Sequence, residues 1–251
     1  MIYLIGLGVA NVEDISIKGL NAIKKCEKVY LEDYTNYFES SKEEIESFIG
    51  KKVEILKRED LENNLGKIIE EAKEKDVAIL VYGDPFFATT HISLKIEAKK
   101  QNVEIKTIHS SSILTAIFEI GLSCYKFGKI VTIPLKSKYE KLPYSVYEAI
   151  KVNKKNKLHT LCLLDIDKEK NEYLKPNEAL KLLLEAEKEY KQNIINKEIE
   201  VIIACRVGFK NEKIFFDKIE NLLEKDFGFP PYVLIIPSEL SSVEKEALSF
   251  L

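Results

Sequence analysis

The chain has 251 residues, 45% hydrophobic and 31% charged, which is enough apolar material for one large core or two modest ones. Its formal net charge of −3 argues against a surface built to neutralise phosphates, so nucleic acid is not expected as a principal partner. No apolar run reaches the roughly 20 residues of a membrane-spanning helix. The opening MIYLIGLG is typical of a buried strand rather than a signal peptide, so we expect a cytoplasmic protein.

Four cysteines are spread along the chain: Cys26, Cys124, Cys162 and Cys205. They form no CxxC pair and have no histidine nearby in sequence, which leaves a zinc or redox site without support. We therefore expect buried thiols and no metal. Among the 38 basic residues only Arg58 and Arg206 are arginine, a skew that biased base composition explains.

Short apolar runs alternate with amphipathic stretches through the first half of the chain. The predicted strands are Ile2–Gly6, Lys28–Leu31, Val53–Leu56, Val77–Val81 and Val103–Ile108. The predicted helices between them include Ser16–Lys25 and Asp60–Lys73. This alternation is typical of an α/β fold with a mostly parallel sheet.

The second half repeats this style less regularly. Its predicted strands lie near Ile130–Ile133, Leu158–Leu164, Glu200–Cys205, Lys213–Asp217 and Val233–Ile236. Its predicted helices include Tyr144–Val152 and Pro176–Lys191, the second of which opens on a proline, as helix N-termini tolerate.

Between the halves lies GLSCYKFG, whose two glycines and lack of clean periodicity suit a crossing between domains. We place the boundary near Lys126. The prediction is an N-terminal α/β domain over residues 1–126 and a C-terminal α/β domain over residues 127–251.

Three turns follow predicted strands, where ligands gather in open α/β sheets. The first, Gly6–Asn11, has two glycines that allow close approach of a ligand to the backbone. The second is GDPFFATTH, Gly83 to His91, in which Asp84 offers a carboxylate to ribose hydroxyls or to a cation. The third, His109–Ile113, brings serine hydroxyls to the head of a helix, where plain N-capping is the favoured interpretation of the segment by itself.

A dinucleotide site is one alternative for the first turn. Gly6-x-Gly8 follows a strand, and Glu32 and Asp33 end the next, where a ribose-binding carboxylate is expected. However, Asn11 replaces the third glycine of GxGxxG. The three turns contain no lysine or arginine, which makes a phosphate ligand less expected. S-adenosylmethionine fits better, because its adenosine, sulfonium and amino acid end call for backbone donors, apolar walls and one carboxylate.

Several motifs resemble the diphthine synthases, a family in the tetrapyrrole methylase superfamily. They are YLIGLG, DISIKGLNAIKKCEKVYLEDYT, GDPFFATTH, YKFG, HTLCLLDI and FGFPPYVLIIP. They occur in the family's order over nearly the whole chain. GDPxxATTH followed by YKFG and HTLxLLDI is specific to this family within the superfamily.

The resemblance implies two α/β domains with S-adenosylmethionine in a cleft between them. The implied cofactor contacts are Val9, Asp84, Phe87, Ser112, Ile113, Leu164, Val207 or Gly208, and Tyr232 or Val233. It also implies a homodimer, for which the aromatic richness of Phe215, Phe216, Phe227 and Phe229 offers further motive.

Three departures from the family pattern are visible. The third turn has Ser-Ser-Ser where Asn-Ala-Ser or Ala-Pro-Ser is more usual, and ACRVG stands where AR(A/V)G is usual. Tyr232 occupies a position commonly held by histidine, which makes a backbone contact the safer expectation there.

Methyl transfer from a sulfonium is an in-line displacement, for which the protein mainly aligns donor and acceptor. In the resembling family the acceptor is the amino group of an aminocarboxypropyl chain on a histidine of translation elongation factor 2. No catalytic residue is assigned, including the three histidines, His91, His109 and His159. The alternatives are a Rossmann-type NAD-dependent oxidoreductase, a methyltransferase of precorrins or uroporphyrinogen, and a non-catalytic module that binds a translation factor.

Overall fold

A computed structural model describes residues 1–251, which divide into two compact units, residues 1–116 and 117–251. The first unit contains a parallel five-stranded sheet with the order β3-β2-β4-β1-β5. Its strands are β1 (Ile2–Gly6), β2 (Lys28–Glu32), β3 (Glu54–Leu56), β4 (Val77–Val81) and β5 (Ile105–Ile108). Its helices are α1 (Ile17–Lys25), α2 (Lys42–Ile49), α3 (Arg58–Glu62), α4 (Leu65–Glu74), α5 (Ile92–Lys100) and α6 (Ile113–Ala116), and residues Val12–Asp14 form a 3₁₀ turn.

Strand β4 lies at the centre of this sheet, and all five of its residues are buried. Val77, Ile79 and Val81 share one apolar cluster with residues of α4 and α5. Ala78 and Leu80 share a second cluster with residues of α1 and α2. Because both faces are covered, the strand is a continuous apolar run rather than an alternating one.

The single helix predicted over Asp60–Lys73 is wrong, since α3 ends at Glu62 and α4 begins at Leu65. Asn63 and Asn64 separate the two helices. Asparagine side chains compete with the helical backbone for hydrogen bonds, which favours a break at such a pair.

The second unit contains a five-stranded sheet with the order β11-β10-β12-β7-β6 and a short β8-β9 hairpin. The strands are β6 (Val131–Ile133), β7 (Thr160–Leu164), β8 (Ile166–Asp167), β9 (Glu172–Tyr173), β10 (Glu200–Cys205), β11 (Lys213–Lys218) and β12 (Tyr232–Ile236). The helices are α7 (Tyr144–Lys155), α8 (Pro176–Tyr190), α9 (Ile219–Leu222) and α10 (Ser242–Leu248), with 3₁₀ turns at Ile117–Ile120, Cys124–Lys126 and Lys168–Lys170.

The second sheet is mostly antiparallel, so the parallel style expected from the first half does not extend to it. Only β6 and β7 are parallel, whereas β7, β12, β10 and β11 pair antiparallel in turn. Helices α7 and α8 contribute to one large apolar cluster with alternate residues of these strands.

The segment GLSCYKFG lies wholly in the second unit, which begins at Ile117, whereas the sequence placed the boundary near Lys126. Gly121 has a φ of 96°, and a Cβ built there would lie 2.2 Å from the Ala247 Cβ in α10. Cys124 is exposed, so the expectation that all four thiols are buried is wrong at this position. None of the helices combines the length and apolar character that a membrane crossing requires.

A buried carboxylate fixes this segment within the second unit. Glu244, in the first turn of α10, is 2% exposed. Its Oε1 accepts from the Ser123 amide at 3.0 Å and from His159 Nε2 at 3.1 Å. Its Oε2 accepts from Lys126 Nζ at 2.6 Å and from the Ser241 amide at 2.8 Å.

The charges of this network are matched. Burial alone raises the pKa of Glu244, but the bonds from Lys126 and the other donors outweigh it and hold this pKa well below its usual range. Burial lowers the pKa of His159, so its ring stays neutral near pH 7. His159 Nδ1 accepts from the Ser238 amide at 2.9 Å, which leaves Nε2 as the donor to Glu244.

We predict that Glu244→Ala lowers the free energy of unfolding by about 3 kcal/mol or more, because it removes the carboxylate partner of Lys126 and leaves the buried His159 ring and two backbone amides without their acceptor. Urea unfolding followed by circular dichroism measures the loss. Glu246→Ala, an exposed change on the same helix, should stay within about 0.5 kcal/mol of the parent. Equal effects of the two variants would contradict the structural role of Glu244.

Candidate functional site

The strand order of the first unit creates a switch point between β1 and β4. The chain leaves β1 towards β2 on one side, and it leaves β4 towards β5 on the other. The helices that follow, α1 and α5, belong to different apolar clusters. Open α/β sheets bind ligands at the carboxyl ends of strands where the order reverses in this way.

At this point the backbones of the first two turns pair directly. The Gly83 amide donates to the Gly8 carbonyl at 2.8 Å, and the Gly8 amide donates to the Gly83 carbonyl at 3.4 Å. Gly8 and Gly83 have φ values of 94° and 73°, which side-chain-bearing residues rarely adopt. A Cβ at Gly6 would lie 2.5 Å from the Gly83 carbonyl oxygen, so no side chain fits there.

Asp84 joins the second turn to the third. Its Oδ1 accepts from the Phe86 amide at 3.0 Å. Its Oδ2 accepts from the Ser110 amide at 3.3 Å and lies 2.8 Å from His109 Nδ1. The Asp84 carboxylate therefore already has donors within the protein, and the side chain is 16% exposed.

All five candidate residues of the first unit lie at this edge of the sheet. Val9 follows β1, Asp84 and Phe87 follow β4, and Ser112 and Ile113 follow β5. Ser112 is buried and the other four are half-buried. Their contact with a cofactor stays a prediction.

The edge of the first unit leaves room for a ligand above Gly83. A Cβ built at Gly83 would meet only the Ser112 Cβ, at 3.8 Å. Val9 and Phe87 supply apolar surface nearby in the chain, while Asp84 supplies the carboxylate. This set of groups fits a ligand with a nucleoside and an amino acid end.

The candidate residues of the second unit also share one edge of their sheet. Leu164 ends β7, Val207 and Gly208 follow β10, and Tyr232 and Val233 begin β12. The pairs Cys205–Tyr232 and Ala204–Val233 align β10 with β12. These residues too remain predicted contacts.

The side chains of Tyr232 and Leu164 are part of the second unit's apolar core. The Tyr232 hydroxyl donates to the Gly228 carbonyl. The Tyr232 side chain therefore has partners within the protein, and a backbone contact with a cofactor at this position stays a prediction. Gly208 is exposed, and its amide donates to Glu212 Oε2 at 2.6 Å.

Sequence reasoning missed the residues that support these turns. Asp14 Oδ2 accepts from the Ala10 amide at 2.8 Å and forms a capping box with Asn11. The Asn-x-x-Asp spacing was a visible signal for this cap. Arg206, beside Val207, is 4% exposed and has a φ of 56°.

Glu32 and Asp33, the carboxylates considered for a ribose, have internal partners. Glu32 is fully buried, and its Oε1 accepts from the Thr35 amide at 3.0 Å. Asp33 Oδ1 accepts from the Tyr82 hydroxyl at 2.8 Å. Neither arrangement favours a dinucleotide site at the end of β2.

Glu32 lies instead against His91, the last residue of the second turn. His91 is 2% exposed, and its Nδ1 donates to the Pro85 carbonyl at 2.8 Å. Its Nε2 has no hydrogen bond and lies 3.6 Å from Glu32 Oε2. Burial raises the pKa of Glu32 to about 7 and lowers that of His91, so burial favours the neutral form of both groups.

The pH dependence of stability tests this pair. The pKa of Glu32 rises from about 4.3 in the unfolded chain to about 7, so the folded state retains a proton between these values. The stabilisation is complete below pH ~4 and is lost as pH rises through ~7. We predict that the unfolding free energy of wild type, relative to Glu32→Gln, falls by about 3 kcal/mol from pH 4 to 8.

Urea unfolding at a series of pH values measures this difference, and Glu74→Gln, an exposed change, is the control. The control should run parallel to wild type. Parallel curves for wild type and Glu32→Gln would contradict the raised pKa of Glu32.

Comparison with known proteins supplies the family. Residues 1–223 match the family model of tetrapyrrole (corrin/porphyrin) methylases. The chain is 43% identical to a diphthine synthase of Methanocaldococcus jannaschii, with 100% of this chain and 98% of the relative covered. It is 42% identical to a diphthine synthase of Methanothermobacter thermautotrophicus, with 99% and 94% covered.

A solved structure of a diphthine synthase agrees in fold, with a TM-score of 0.87 and 36% identity over 99% of this chain and 94% of that one. The family model covers far more than half of the chain, and the relatives match it from end to end. The chain therefore belongs to the tetrapyrrole methylase family, in its diphthine synthase branch, and is a methyltransferase.

Proposed function

We propose that the chain transfers methyl groups from S-adenosylmethionine to the amino group of an aminocarboxypropyl histidine on translation elongation factor 2. The full-length identity with diphthine synthases carries this proposal. The paired glycine turns of the first unit support it, because they offer backbone groups and open space at the switch point.

In the first unit, Val9, Phe87 and Ile113 are the apolar residues proposed to contact the adenosine and the methionine chain. Asp84 and Ser112 are the proposed polar contacts. In the second unit, the proposed contacts are Leu164, Val207, Gly208, Tyr232 and Val233. The cofactor supplies a methyl group on a sulfonium, which a nucleophile displaces in line. The role of these residues is to hold and orient it.

The acceptor amine must be neutral to attack. A site that excludes water favours its neutral form. His91 and His159 are buried in internal pairs, so neither is available to an acceptor. We assign no general base.

The nicotinamide-dependent alternative loses support. It requires a free carboxylate at the end of β2, and Glu32 is sealed there beside His91. A phosphate-binding helix start with a third glycine is also absent from the first turn, because Asn11 caps the 3₁₀ turn through its side chain.

A homodimer is proposed from the family resemblance. The aromatic residues considered for it give weaker support, because Phe227 is buried in the core and Phe215 packs against that core. Only Phe229 is largely exposed among the four. Since the proposed substrate is a translation factor, we also propose that the enzyme acts in the cytoplasm.

The cofactor site is tested with a matched pair of variants. We predict that Ser112→Trp, which fills the space above Gly83, weakens S-adenosylhomocysteine binding at least about tenfold, or ~1.4 kcal/mol. Ser111→Trp, at the exposed neighbouring position, should leave the affinity unchanged. Isothermal calorimetry measures both, and circular dichroism confirms folding. Unchanged affinity in Ser112→Trp would remove the third turn from the site.

The acceptor is tested with labelled S-adenosylmethionine. We expect label in elongation factor 2 that carries the aminocarboxypropyl histidine, and none in the unmodified factor or in a factor with that histidine replaced. Label in uroporphyrinogen or a cobalt precorrin would overturn the substrate while leaving the methyltransferase activity in place.

A further inference from the structure

Arg206 is a buried cation without a carboxylate partner. Of the two arginines in the chain, Arg58 pairs with Glu62 at 3.3 Å. Arg206 is 4% exposed, and its guanidinium forms no ion pair. Placing an ionised group out of water is costly unless it is paired or fully hydrogen-bonded.

Three of the five guanidinium hydrogens have internal acceptors. Nε donates to the Asn211 carbonyl at 3.3 Å and to Asn211 Oδ1 at 3.1 Å. Nη1 donates to the Phe227 carbonyl at 3.1 Å and to the Phe229 carbonyl. These bonds fix the plane of the guanidinium and leave both hydrogens of Nη2 without an acceptor.

The Nη2 end is not sealed by protein. The unpartnered polar atoms that the fold closes off from solvent are Tyr34 Oη, His91 Nε2 and Thr107 Oγ1, and Arg206 Nη2 is not among them. The neighbouring Gly228 has a φ of 73°, and a Cβ built there would lie 3.7 Å from Nη2 and 3.4 Å from Nη1. The missing side chain at Gly228 therefore leaves open the space beside the guanidinium.

Arg206 also has a left-handed backbone, with a φ of 56°. For a residue other than glycine this conformation is unusual and is concentrated at functional sites. Its amide donates to the Pro231 carbonyl at 2.8 Å, which joins the end of β10 to the start of β12. Arg206 thus lies directly beside Val207 and Tyr232.

We propose that Nη2 of Arg206 binds a carboxylate, either that of the cofactor's amino acid end or that of the acceptor's aminocarboxypropyl group. This inference rests on the proposed function. A carboxylate supplies both the missing hydrogen-bond acceptor and the missing negative charge. Every other basic position except Arg58 is lysine. A lysine side chain lacks the planar guanidinium, whose Nε and Nη1 are anchored to the protein while Nη2 is left to donate.

The presence of only two arginines makes a direct test on the wild-type protein possible. Arginine labelled with ¹³C at Cζ gives two guanidinium signals, and Arg58→Lys assigns them. The first arm compares S-adenosylhomocysteine with 5′-methylthioadenosine, which lacks the amino acid end. The second arm, in the presence of S-adenosylhomocysteine, compares a peptide bearing an aminocarboxypropyl histidine with the same peptide bearing an aminopropyl histidine.

We expect the Arg206 signal to move with the carboxylate-bearing member of one pair and not with its carboxylate-free counterpart. A response in the first arm identifies the cofactor as the source, and a response in the second identifies the acceptor. If S-adenosylhomocysteine binds by calorimetry and neither arm shows a difference, the carboxylate site is overturned while the proposed function stands. If S-adenosylhomocysteine does not bind, the proposed function fails and the inference fails with it.

The same substitution at both arginines provides a second measurement. We expect Arg206→Lys to weaken the responding carboxylate ligand about tenfold and to leave its carboxylate-free counterpart unchanged. Arg58→Lys should change neither affinity. Equal weakening of both ligands by Arg206→Lys would indicate a purely structural role and overturn the proposal.

Discussion

The candidate site of the first unit depends on the close approach of two backbones at Gly8 and Gly83. Their reciprocal hydrogen bonds, 2.8 and 3.4 Å long, extend the contact between the two central strands past the end of the sheet. The approach requires left-handed conformations at both residues and the absence of a side chain at Gly6. Once the two turns are pinned, Asp84 lies close enough to bond the Ser110 amide, and the third turn is fixed as well.

The chain handles its buried ionisable groups in three different ways. Glu244 is ionised, and each of its two carboxylate oxygens accepts two hydrogen bonds, one of which comes from Lys126. Glu32 accepts hydrogen bonds from the Tyr34 and Thr35 amides and from the Thr35 hydroxyl, but its complete burial outweighs them and raises its pKa to about 7, so it takes up a proton. Arg206 has neither a counter-charge nor the option of losing its proton, since arginine stays ionised in proteins. Glu244 is paired within the protein and Glu32 is neutralised by a proton, whereas the charge of Arg206 is left for an anion from outside.

Much of the first unit could be predicted from the sequence, because each of its strands is a local signal. Val77–Val81 is uniformly apolar, as a strand buried on both faces must be, and the structure has it at the same residues. The glycines of the first two turns also mark the exits of β1 and β4, where the candidate site lies. The break at Asn63 and Asn64 was missed because the apolar period runs on across it.

The second unit was harder to predict, because strand direction is a property of pairs that are distant in sequence. Nothing within Glu200–Cys205 or Tyr232–Ile236 states that these strands run antiparallel. Their partners are set by the loop between them, which includes the β11 hairpin and the Arg206 contacts. The predicted strands of the second unit lie close to the observed ones. The positions of the strands alone do not say which strands pair or in which direction.

The same limit applies to Arg206. The scarcity of arginine was visible in the sequence, and a compositional explanation was sufficient there. Biased base composition accounts for the many lysines, but not for Arg206, which is buried in the turn after β10. The structure distinguishes the two arginines by their surroundings, since Arg58 pairs with Glu62, whereas Arg206 has backbone carbonyls, the Asn211 amide oxygen and the Phe229 ring around it but no carboxylate.

Tyr232 and Arg206 lie close together in the second unit, but their side chains have different surroundings. The side chains of Tyr232 and Leu164 lie in the apolar core, so at these positions only the backbone remains for a ligand. The contact proposed at Tyr232 would then be made by its backbone, and a backbone contact tolerates tyrosine where the family commonly has histidine. Arg206 is different, because its guanidinium is buried and held in a fixed orientation by Asn211, Phe227 and Phe229. Replacement of Arg206 by lysine would keep the charge but lose the anchored plane of the guanidinium.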